Sequence, residues 1–353
     1  MPKINAYQSM HRLVQRLRDD FNSQDFVLLY AYNRTGKTRL SMAFKDAGKR
    51  NNPSGDTLYF NAYTEDLFSW DNDLDADSER HLKINSTSRF FSGFKDLALE
   101  PKISEYLERY TDFDFRIDYD EWKITFSNQD EQNIKVSRGE ENIFIWCIFL
   151  AICQLVIDDH QSYSWVKYLY IDDPISSLDD NNAITIASDL AQLLKSGRER
   201  LKTVISSHHG LFYNVIHNEF RNSTVKCKSY FYYRQKDSGK YALQATNDTP
   251  FFHHVAILKE LQQAVNSGQL YTHHFNMLRS ILEKTATFFG FTDFSDCIHG
   301  IDDEVLYTRA LNLLSHGKYS VYEPREMVGD TKELFKRILT AFLERYNFNL
   351  PDL

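Results

Sequence analysis

The stretch Tyr168-Leu-Tyr-Ile-Asp-Asp-Pro-Ile-Ser-Ser-Leu-Asp179 decides the fold class of this chain. Its first half is an apolar run typical of a buried strand. The run stops at Asp172 and Asp173, and the proline that follows cannot continue a strand ladder. Ligands bind at the carboxyl ends of strands in open α/β sheets, and a carboxylate there can hold Mg²⁺ beside a phosphate. Taken alone, the same residues also fit an ordinary turn.

A second motif lies near the N-terminus, in Ala31-Tyr-Asn-Arg-Thr-Gly-Lys-Thr38. A buried-strand pattern over residues 25–30 precedes it and a helical pattern over 39–49 follows it. This is the order of a phosphate-binding loop, G-x-x-x-x-G-K-[ST], with Ala31 where the first glycine usually stands. Lys37 can reach the β and γ phosphates and Thr38 can ligate Mg²⁺. The predicted nucleotide-binding residues of this loop are Asn33, Arg34, Thr35, Gly36, Lys37 and Thr38.

Two further segments carry residues suited to an anion. Ser137 and Gly139 stand at the predicted start of a long apolar helix, where a hydroxyl, free N–H groups and the helix dipole favour a phosphate. Taken in isolation, Ser137 with Glu140 fits a capping box better, and such a box only stabilises the helix start. A strand pattern over 201–207 ends at His208, whose neutral imidazole can contact a γ-phosphate.

In this order the four motifs resemble the ABC-type ATPase head, over about residues 25–235. The resemblance implies that Asp172 ligates Mg²⁺ and that Asp173 acts beside the attacking water. It further assigns the signature motif to Ser137, Gly139 and Glu140, the D-loop to residues 177–179, and the switch histidine to His208. The family usually has glutamate where Asp173 stands, so the shorter side chain affects the rate of hydrolysis more than nucleotide binding.

The resemblance also implies the architecture. We expect an α/β fold, with an ABC-type P-loop head of mixed central sheet and flanking helices over residues 1–248 and an all-helical domain over 249–353. Within the head, residues 74–110 are predicted to be helical and 113–126 to form strands of a side sheet. Heads of this family complete each site with the signature motif of a second subunit. The implied cofactors are therefore ATP and Mg²⁺, and the implied partner is a second copy in a head-to-tail homodimer or a higher oligomer.

Composition limits the classes of protein to which the chain can belong. The chain has 353 residues, 42% of them hydrophobic and 25% charged, which is ordinary for a globular protein. No apolar run reaches the length of a membrane span, the N-terminus lacks the apolar core of a signal peptide, and the four cysteines form no Cys-x-x-Cys pair. These features predict a cytoplasmic protein with no membrane partner.

The net charge of −8 argues against general coating of nucleic acid, so such a partner needs a local patch. One candidate is residues 195–240, where ten basic and three acidic residues alternate with the aromatic run Tyr230-Phe-Tyr-Tyr233. This stretch could contact a nucleic-acid backbone and stack bases. The alternative is a late strand of the head with a solvated face.

Beyond residue 249 the patterns are helical, and three residues there point to chemistry. Arg279 and Glu283 lie four apart and can pair on one helix face, and His316 precedes a predicted helix stop at Gly317. Together they suit metal-free RNA cleavage, although an ordinary ion pair and a helix-end histidine give the same spacing. Their order resembles the PrrC and RloC anticodon nucleases, which join an ABC-type ATPase to such a helical domain. The spacing from Arg309 to His316 also resembles HEPN ribonucleases.

Three hypotheses about function follow. The first is an ATP-switched tRNA anticodon nuclease of bacterial antiphage defence. The second is an ATPase sensor or scaffold that holds an effector or inhibitor protein of the same operon, as in the Septu, retron and PARIS systems. The third, a DNA-repair ATPase of the RecF type, has less support because DNA-binding features occur only in the basic stretch.

Overall fold

The computed structural model describes residues 4–32, 35–50, 55–61, 67–72, 80–91, 94–128, 131–174, 180–235, 239–246, 252–298 and 326–346. The chain divides into two compact units, one from Pro2 to Pro250 and the other from Phe251 to Leu353. The first is an α/β unit, here called the head, and the described part of the second is helical.

The head is built on a seven-stranded mixed sheet. The described strands of the head, in both of its sheets, are β1 (Ile4–Tyr7), β2 (Phe26–Tyr30), β3 (Thr57–Asn61), β4 (Phe68–Asn72), β5 (Arg80–Ile84), β6 (Asp114–Asp118), β7 (Lys123–Ser127), β8 (Tyr168–Asp172), β9 (Lys202–Ser207), β10 (Cys227–Arg234) and β11 (Tyr241–Ala245). The large sheet has the order β1-β11-β10-β2-β9-β8-β3. Neighbours from β10 to β3 run parallel, whereas β1 and β11 pair antiparallel at one edge. The predicted α/β class with a mixed central sheet is confirmed.

The register of the central strands positions the site. All five residues of β2 are buried, as expected of a parallel strand that is covered on both faces. Ser206 of β9 lies opposite Leu29 of β2 on one side and opposite Asp172 of β8 on the other. The carboxyl ends of β2, β8 and β9 therefore meet at one edge, although their residues are far apart in sequence.

A smaller antiparallel sheet has the order β4-β5-β7-β6. Strands β6 and β7 occupy the region from 113 to 126, as predicted. The prediction that 74–110 is helical is wrong for Arg80–Ile84, which pairs with both β4 and β7. Pairing on both sides outweighs the local pattern, because strand formation depends on neighbours that a local sequence window does not include.

Helices cover the large sheet and bury their apolar residues against it. Those of the head are α1 (Met10–Asp20), α2 (Lys37–Lys49), α3 (Glu100–Leu107), α4 (Arg138–Ile157), α5 (Asp180–Ser196) and α6 (Gly210–Arg221). Within the described residues, only α4 is long and apolar enough to cross a membrane, and 72% of its most apolar window is buried inside the protein. Trp146 and Phe149 of α4 pack against Phe60 of β3, so this helix forms part of the core.

The second unit has its own core. Its described helices are α7 (Phe252–Ser267), α8 (His273–Phe289) and α9 (Gly329–Tyr346). Phe275 of α8 and Phe335 of α9 are fully buried and meet edge to face, with ring centroids 5.1 Å apart. Helix α8 ends at Gly290, whose φ of 74° is the left-handed conformation common after a helix.

Candidate nucleotide site and the helical unit

The predicted phosphate-binding loop connects β2 to α2. Gly36 is the N-cap of α2 and has a φ of 95°, in the left-handed region that favours glycine. No side chain caps this helix start, so its first N–H groups are available to phosphate oxygens. Ala31 is buried and has no positive φ, which explains why a methyl group is accepted where glycine is usual. Asn33 and Arg34 lie outside the described residues.

The two threonines of the loop differ in environment. Thr35 donates its hydroxyl to the carbonyl of Tyr32 at 2.7 Å and so closes the turn. Thr38 is exposed in the first turn of α2, and its carbonyl oxygen lies 2.9 Å from the hydroxyl of Ser41. An exposed hydroxyl here is compatible with a role as an Mg²⁺ ligand, which stays a prediction.

Lys37 connects the loop to the end of β8. Its side chain is only 6% exposed, and its ammonium group lies 3.0 Å from the carboxylate of Asp173. The same group donates to the carbonyls of Ala31 and Tyr32, each at 3.3 Å. The lysine predicted to bind phosphate thus contacts the carboxylate predicted to act in hydrolysis.

Asp172 is almost fully buried at the end of β8. Its Oδ1 accepts a hydrogen bond from Ser206 at 2.6 Å, and its Oδ2 accepts one from Ser41 at 3.1 Å. The hydroxyl of Tyr59 lies 3.5 Å from Oδ2. These hydroxyl groups on α2, β3 and β9 fix the orientation of the carboxylate.

Asp173 adopts an unusual backbone conformation, with a φ of 47° that is uncommon for a residue other than glycine. Its N–H donates to the carbonyl of Ser206 at 2.8 Å. Its Oδ1 accepts the N–H of His208 at 2.8 Å and lies 2.7 Å from Nδ1 of the same ring. The structure therefore brings the predicted residues Lys37, Asp173 and His208 into direct contact.

The two adjacent carboxyl groups have different acidities. Burial, together with the charge of Asp173, raises the pKa of Asp172. Burial also acts to raise the pKa of Asp173, but the hydrogen bond from His208 and the charge of Lys37 outweigh it and lower that pKa below its usual value. Asp173 is consequently an anion at neutral pH. Asp172 is a buried carboxylate whose charge a bound cation would stabilise.

These features fit a nucleotide with Mg²⁺. The loop offers uncapped N–H groups and a buried ammonium, and Asp172 offers a hard oxygen ligand held by hydroxyl groups. Magnesium in phosphate sites commonly takes one or two carboxylates and leaves its other positions to phosphates and water. Residues Lys37, Thr38 and Asp172 would hold these groups.

The predicted signature motif lies at the start of α4. Ser137 is the N-cap, and its Oγ accepts the N–H of Glu140 at 3.3 Å. The carboxylate of Glu140 accepts the N–H of Ser137 at 2.7 Å, so the capping box is complete. A capping hydroxyl can still donate its own hydrogen to a phosphate, so the helix start remains a candidate anion site. Binding by Ser137, Gly139 and Glu140 stays a prediction. The predicted D-loop, residues 177–179, lies outside the described residues.

Two of the three predicted nuclease residues lie on α8. Arg279 donates to Glu283 at 2.7 Å, and its guanidinium lies 5.0 Å from the ring centroid of Phe294. Arg279 is mostly buried and Glu283 is half exposed, so the carboxylate faces solvent while the guanidinium is held in place. His316 and Arg309 lie outside the described residues.

The described residues of the basic stretch from 195 to 240 do not form a base-stacking surface. Tyr230, Phe231 and Tyr232 are buried in β10, where they fill the core on both faces of the sheet. Five of the described basic side chains are in the ion pairs Lys195–Glu219, Arg198–Glu199, Arg200–Asp159, Lys202–Asp25 and Lys228–Asp20. The alternative of a late strand with a solvated face is the better description.

Sequence reasoning missed two residues that orient Asp172. Ser206 is fully buried, and it holds Asp172 through its hydroxyl and Asp173 through its backbone carbonyl. Ser41, also fully buried, reaches Asp172 from the first turns of α2. The sequence signal that could have found them is a polar residue inside an apolar strand or on the buried side of a helix. Such a residue must have an internal hydrogen-bond partner, but the sequence does not identify that partner.

The fold and this site define a P-loop ATPase. A family model described as an AAA domain matches residues 100–341, which span both units. An Escherichia coli protein named "Anticodon nuclease" is 36% identical over 333 residues, covering 83% of this chain and 82% of that protein. A solved structure titled "Crystal structure of the SmcHead bound to the C-winged helix domain of ScpA" covers 42% of each chain at 14% identity. Its TM-score of 0.29 is too low to support an argument.

The chain belongs to the family of PrrC-type anticodon nucleases that contain an AAA-type ATPase domain. The predicted family is confirmed, and so is the assignment of the chain as an ATPase.

Proposed function

We propose that this chain is an ATP-controlled tRNA anticodon nuclease of bacterial antiphage defence that acts in the cytoplasm as a head-to-tail dimer. The extent of the match to the Escherichia coli anticodon nuclease carries the proposal. A match over 83% of this chain is longer than the unit from Pro2 to Pro250, so it must extend into the helical unit. A relative of the ATPase head alone would not match that far.

In the proposed ATPase reaction, Lys37 and the N–H groups of the loop bind the phosphates, and Thr38 and Asp172 hold Mg²⁺. Bound Mg²⁺ would neutralise charge on the phosphates. Asp173 is ionised and lies at the strand end, so it is suited to orient the attacking water and accept its proton. His208 is in contact with Asp173 and is suited to hold that carboxylate in position or to contact the γ-phosphate.

In the proposed nuclease reaction, Glu283 takes the proton of the RNA 2′-hydroxyl and Arg279 stabilises charge on the phosphate. His316 supplies a proton to the leaving oxygen. The half-exposed carboxylate of Glu283 and its contact with Arg279 support the first two roles. Nucleotide binding would control this site by changing the geometry of the dimer.

The nuclease proposal is tested by incubating bulk bacterial tRNA with wild type, His316→Ala, Arg279→Ala and the control Arg337→Ala, with and without ATP. Arg337 is exposed on α9 and matches Arg279 in charge. We expect nucleotide-dependent fragments from wild type and Arg337→Ala only. Fragments of equal yield from His316→Ala would contradict the assigned chemistry.

The dimer proposal is tested by mixing two inactive variants. In a head-to-tail dimer, Lys37→Ala and Ser137→Ala disable opposite halves of each site, so a mixed dimer keeps one intact site. We expect the mixture to recover ATP hydrolysis that neither variant shows alone. A mixture that stays as inactive as its components would show that the site is complete within one chain.

A second candidate function, an ATPase scaffold for a separate nuclease or toxin, is favoured by one observation. Phe288, Phe289 and Phe291 at the end of α8 are exposed by 84%, 52% and 37%. Adjacent exposed aromatic side chains are typical of protein-binding surfaces. The scaffold function is supported instead by two results together. Neither wild type nor any variant cleaves tRNA, and a protein encoded beside this chain co-purifies with wild type but not with Phe288→Ser.

A further inference from the structure

The head carries a groove that the nucleotide site does not use. It has a volume of about 660 Å³ and lies between the exposed face of α1 and the start of β11. Tyr7 of β1 and Lys240, the residue before β11, also line the groove. Tyr7 pairs in register with Tyr241, so Lys240 is the chain neighbour of the residue opposite Tyr7.

The basic residues of the groove are arranged along α1. Arg12 and Arg16 are four residues apart, so their side chains lie on one face with a rise of about 6 Å. Arg12 is exposed and forms no ion pair within the part of the chain that the structure describes. Lys240 lines the same groove from beside β11, so the cations of the lining come from two elements.

The buried carboxylate of Asp20 orients Arg16, one of the residues that line the groove. Asp20 is 4% exposed and accepts hydrogen bonds from Tyr230 at 2.7 Å and Lys228 at 2.9 Å. Arg16 donates to the same carboxylate at 2.9 Å, which holds its guanidinium at the edge of the groove. Lys228 offsets the negative charge of Asp20, so Asp20 does not cancel the positive charge of the groove.

One acid, Asp19, also lines the groove, and it accepts a hydrogen bond from the amide of Gln15 at 2.8 Å. Three basic side chains of the lining, Arg12, Arg16 and Lys240, outnumber this carboxylate, so the groove is positive on a chain whose net charge is −8. A local basic surface on an acidic protein is the electrostatic pattern of a site for a polyanion.

We propose that this groove binds the phosphate backbone of the RNA substrate, with Arg12, Arg16 and Lys240 as the phosphate contacts. This inference rests on the proposed function, because that function supplies an RNA as the ligand. RNA fits better than a compact anion, because Arg12 and Arg16 are a full helix turn apart on α1 and Lys240 comes from a different element. Tyr7, which also lines the groove, offers a ring to an unpaired base.

The experiment measures binding of fluorescently labelled bulk bacterial tRNA by anisotropy, across a range of salt concentrations. Full-length His316→Ala protein serves as the parent, and Arg12→Ala, Lys240→Ala and the double variant are built on it. Arg221→Ala, which removes an exposed charge at the end of α6, is the matched control. Binding of a fluorescent ATP analogue is measured for every variant.

We expect the double variant to bind tRNA about tenfold to a hundredfold more weakly than the parent at moderate salt. Each lost phosphate contact should reduce the slope of log K against log salt concentration by about 0.7 to 0.9. Arg221→Ala should match the parent, and affinity for the ATP analogue should stay the same throughout.

Three results would overturn the inference. The first is tRNA binding by the double variant with the affinity and salt slope of Arg221→Ala. The second is a loss of ATP-analogue affinity with unchanged tRNA binding, which would make the groove part of the nucleotide site. The third is binding of labelled polyglutamate with no binding of tRNA, which would identify an acidic protein as the ligand.

The outcomes also separate this inference from the proposed nuclease. If wild type binds tRNA through Arg12 and Lys240 but produces no fragments, the nuclease function fails and the groove assignment stands. If wild type cleaves tRNA while the groove variants bind it like the control, only the groove assignment fails.

Discussion

The contact between Lys37 and Asp173 leads to a prediction about the variant Asp173→Asn. In the structure the carboxylate holds the ammonium group that is expected to bind phosphate, at 3.0 Å in a mostly buried position. A nucleotide must therefore compete with Asp173 for Lys37. Replacing the carboxylate with the isosteric amide removes this competitor and should strengthen ATP binding, while it removes the group proposed to accept a proton.

The magnitude follows from the geometry. Two unit charges 3.0 Å apart attract by about 5.5 kcal/mol at an effective dielectric constant of 20, before the desolvation of both groups is subtracted. A hydrogen bond to a charged group contributes about 1.5–3 kcal/mol net. Releasing Lys37 should thus improve ATP affinity by about tenfold or more, since 1.4 kcal/mol corresponds to a factor of ten. Loss of a proton acceptor should slow hydrolysis by about 10²- to 10⁴-fold.

The assay combines titration of a fluorescent ATP analogue with single-turnover hydrolysis, for wild type, Asp173→Asn, Lys37→Ala and the double variant. The double variant separates two causes, because removing repulsion between Asp173 and the γ-phosphate would also raise affinity. If the gain comes from release of Lys37, it disappears in the Lys37→Ala background. A gain of equal size in both backgrounds, or no gain at all, would refute the reasoning.

Three further predictions concern the same carboxylates and the start of α4. Ser206→Ala should destabilise the protein by about 1–3 kcal/mol and raise the Mg²⁺ concentration needed for half-maximal ATPase activity, because Asp172 loses its 2.6 Å hydrogen bond. Urea unfolding and Mg²⁺ titration measure both effects, and a variant equal to wild type in both would exclude this role. Wild type should be more stable than Asp173→Asn at neutral pH, because the pKa of Asp173 is lower in the folded state than in the unfolded state. This difference in stability should be fully present above the unfolded-state pKa of Asp173, about 3.9, and should be lost as pH falls through its lower folded-state pKa. Urea unfolding at several pH values between neutral and strongly acid checks this, and a difference that grows in acid would contradict the lowered pKa. Ser137→Ala should cost about 1 kcal/mol of stability through loss of the cap, whereas Glu140→Gln should keep the capping box and most of that stability. Equal unfolding midpoints for the two variants would show that the capping box contributes little.

Several features were predictable because they depend on short-range patterns. The run from Tyr168 to Asp172 is apolar and ends at a proline, and it forms β8. The Gly-Lys-Thr sequence between a strand pattern and a helix pattern forms a loop that enters α2 at Gly36. The order of the motifs identified the family, because that order does not depend on side-chain geometry.

The strand at Arg80–Ile84 shows where such patterns fail. This segment is mixed in sequence, and its conformation depends on the strands beside it. The basic residues of 195–240 likewise looked like a binding surface because their ion-pair partners, such as Asp25 and Asp159, lie far away in sequence.

The sequence by itself determined the class of protein, the positions of the loop, the strand-end carboxylates and the helical C-terminal unit. Only the tertiary structure decided which of these groups touch. Parallel neighbours in this sheet follow the order β2-β9-β8, which is not their order in the chain. Lys37, Asp173 and His208 therefore meet through the register of neighbouring strands, although Asp173 and His208 are 35 residues apart in sequence. No local pattern encodes that register.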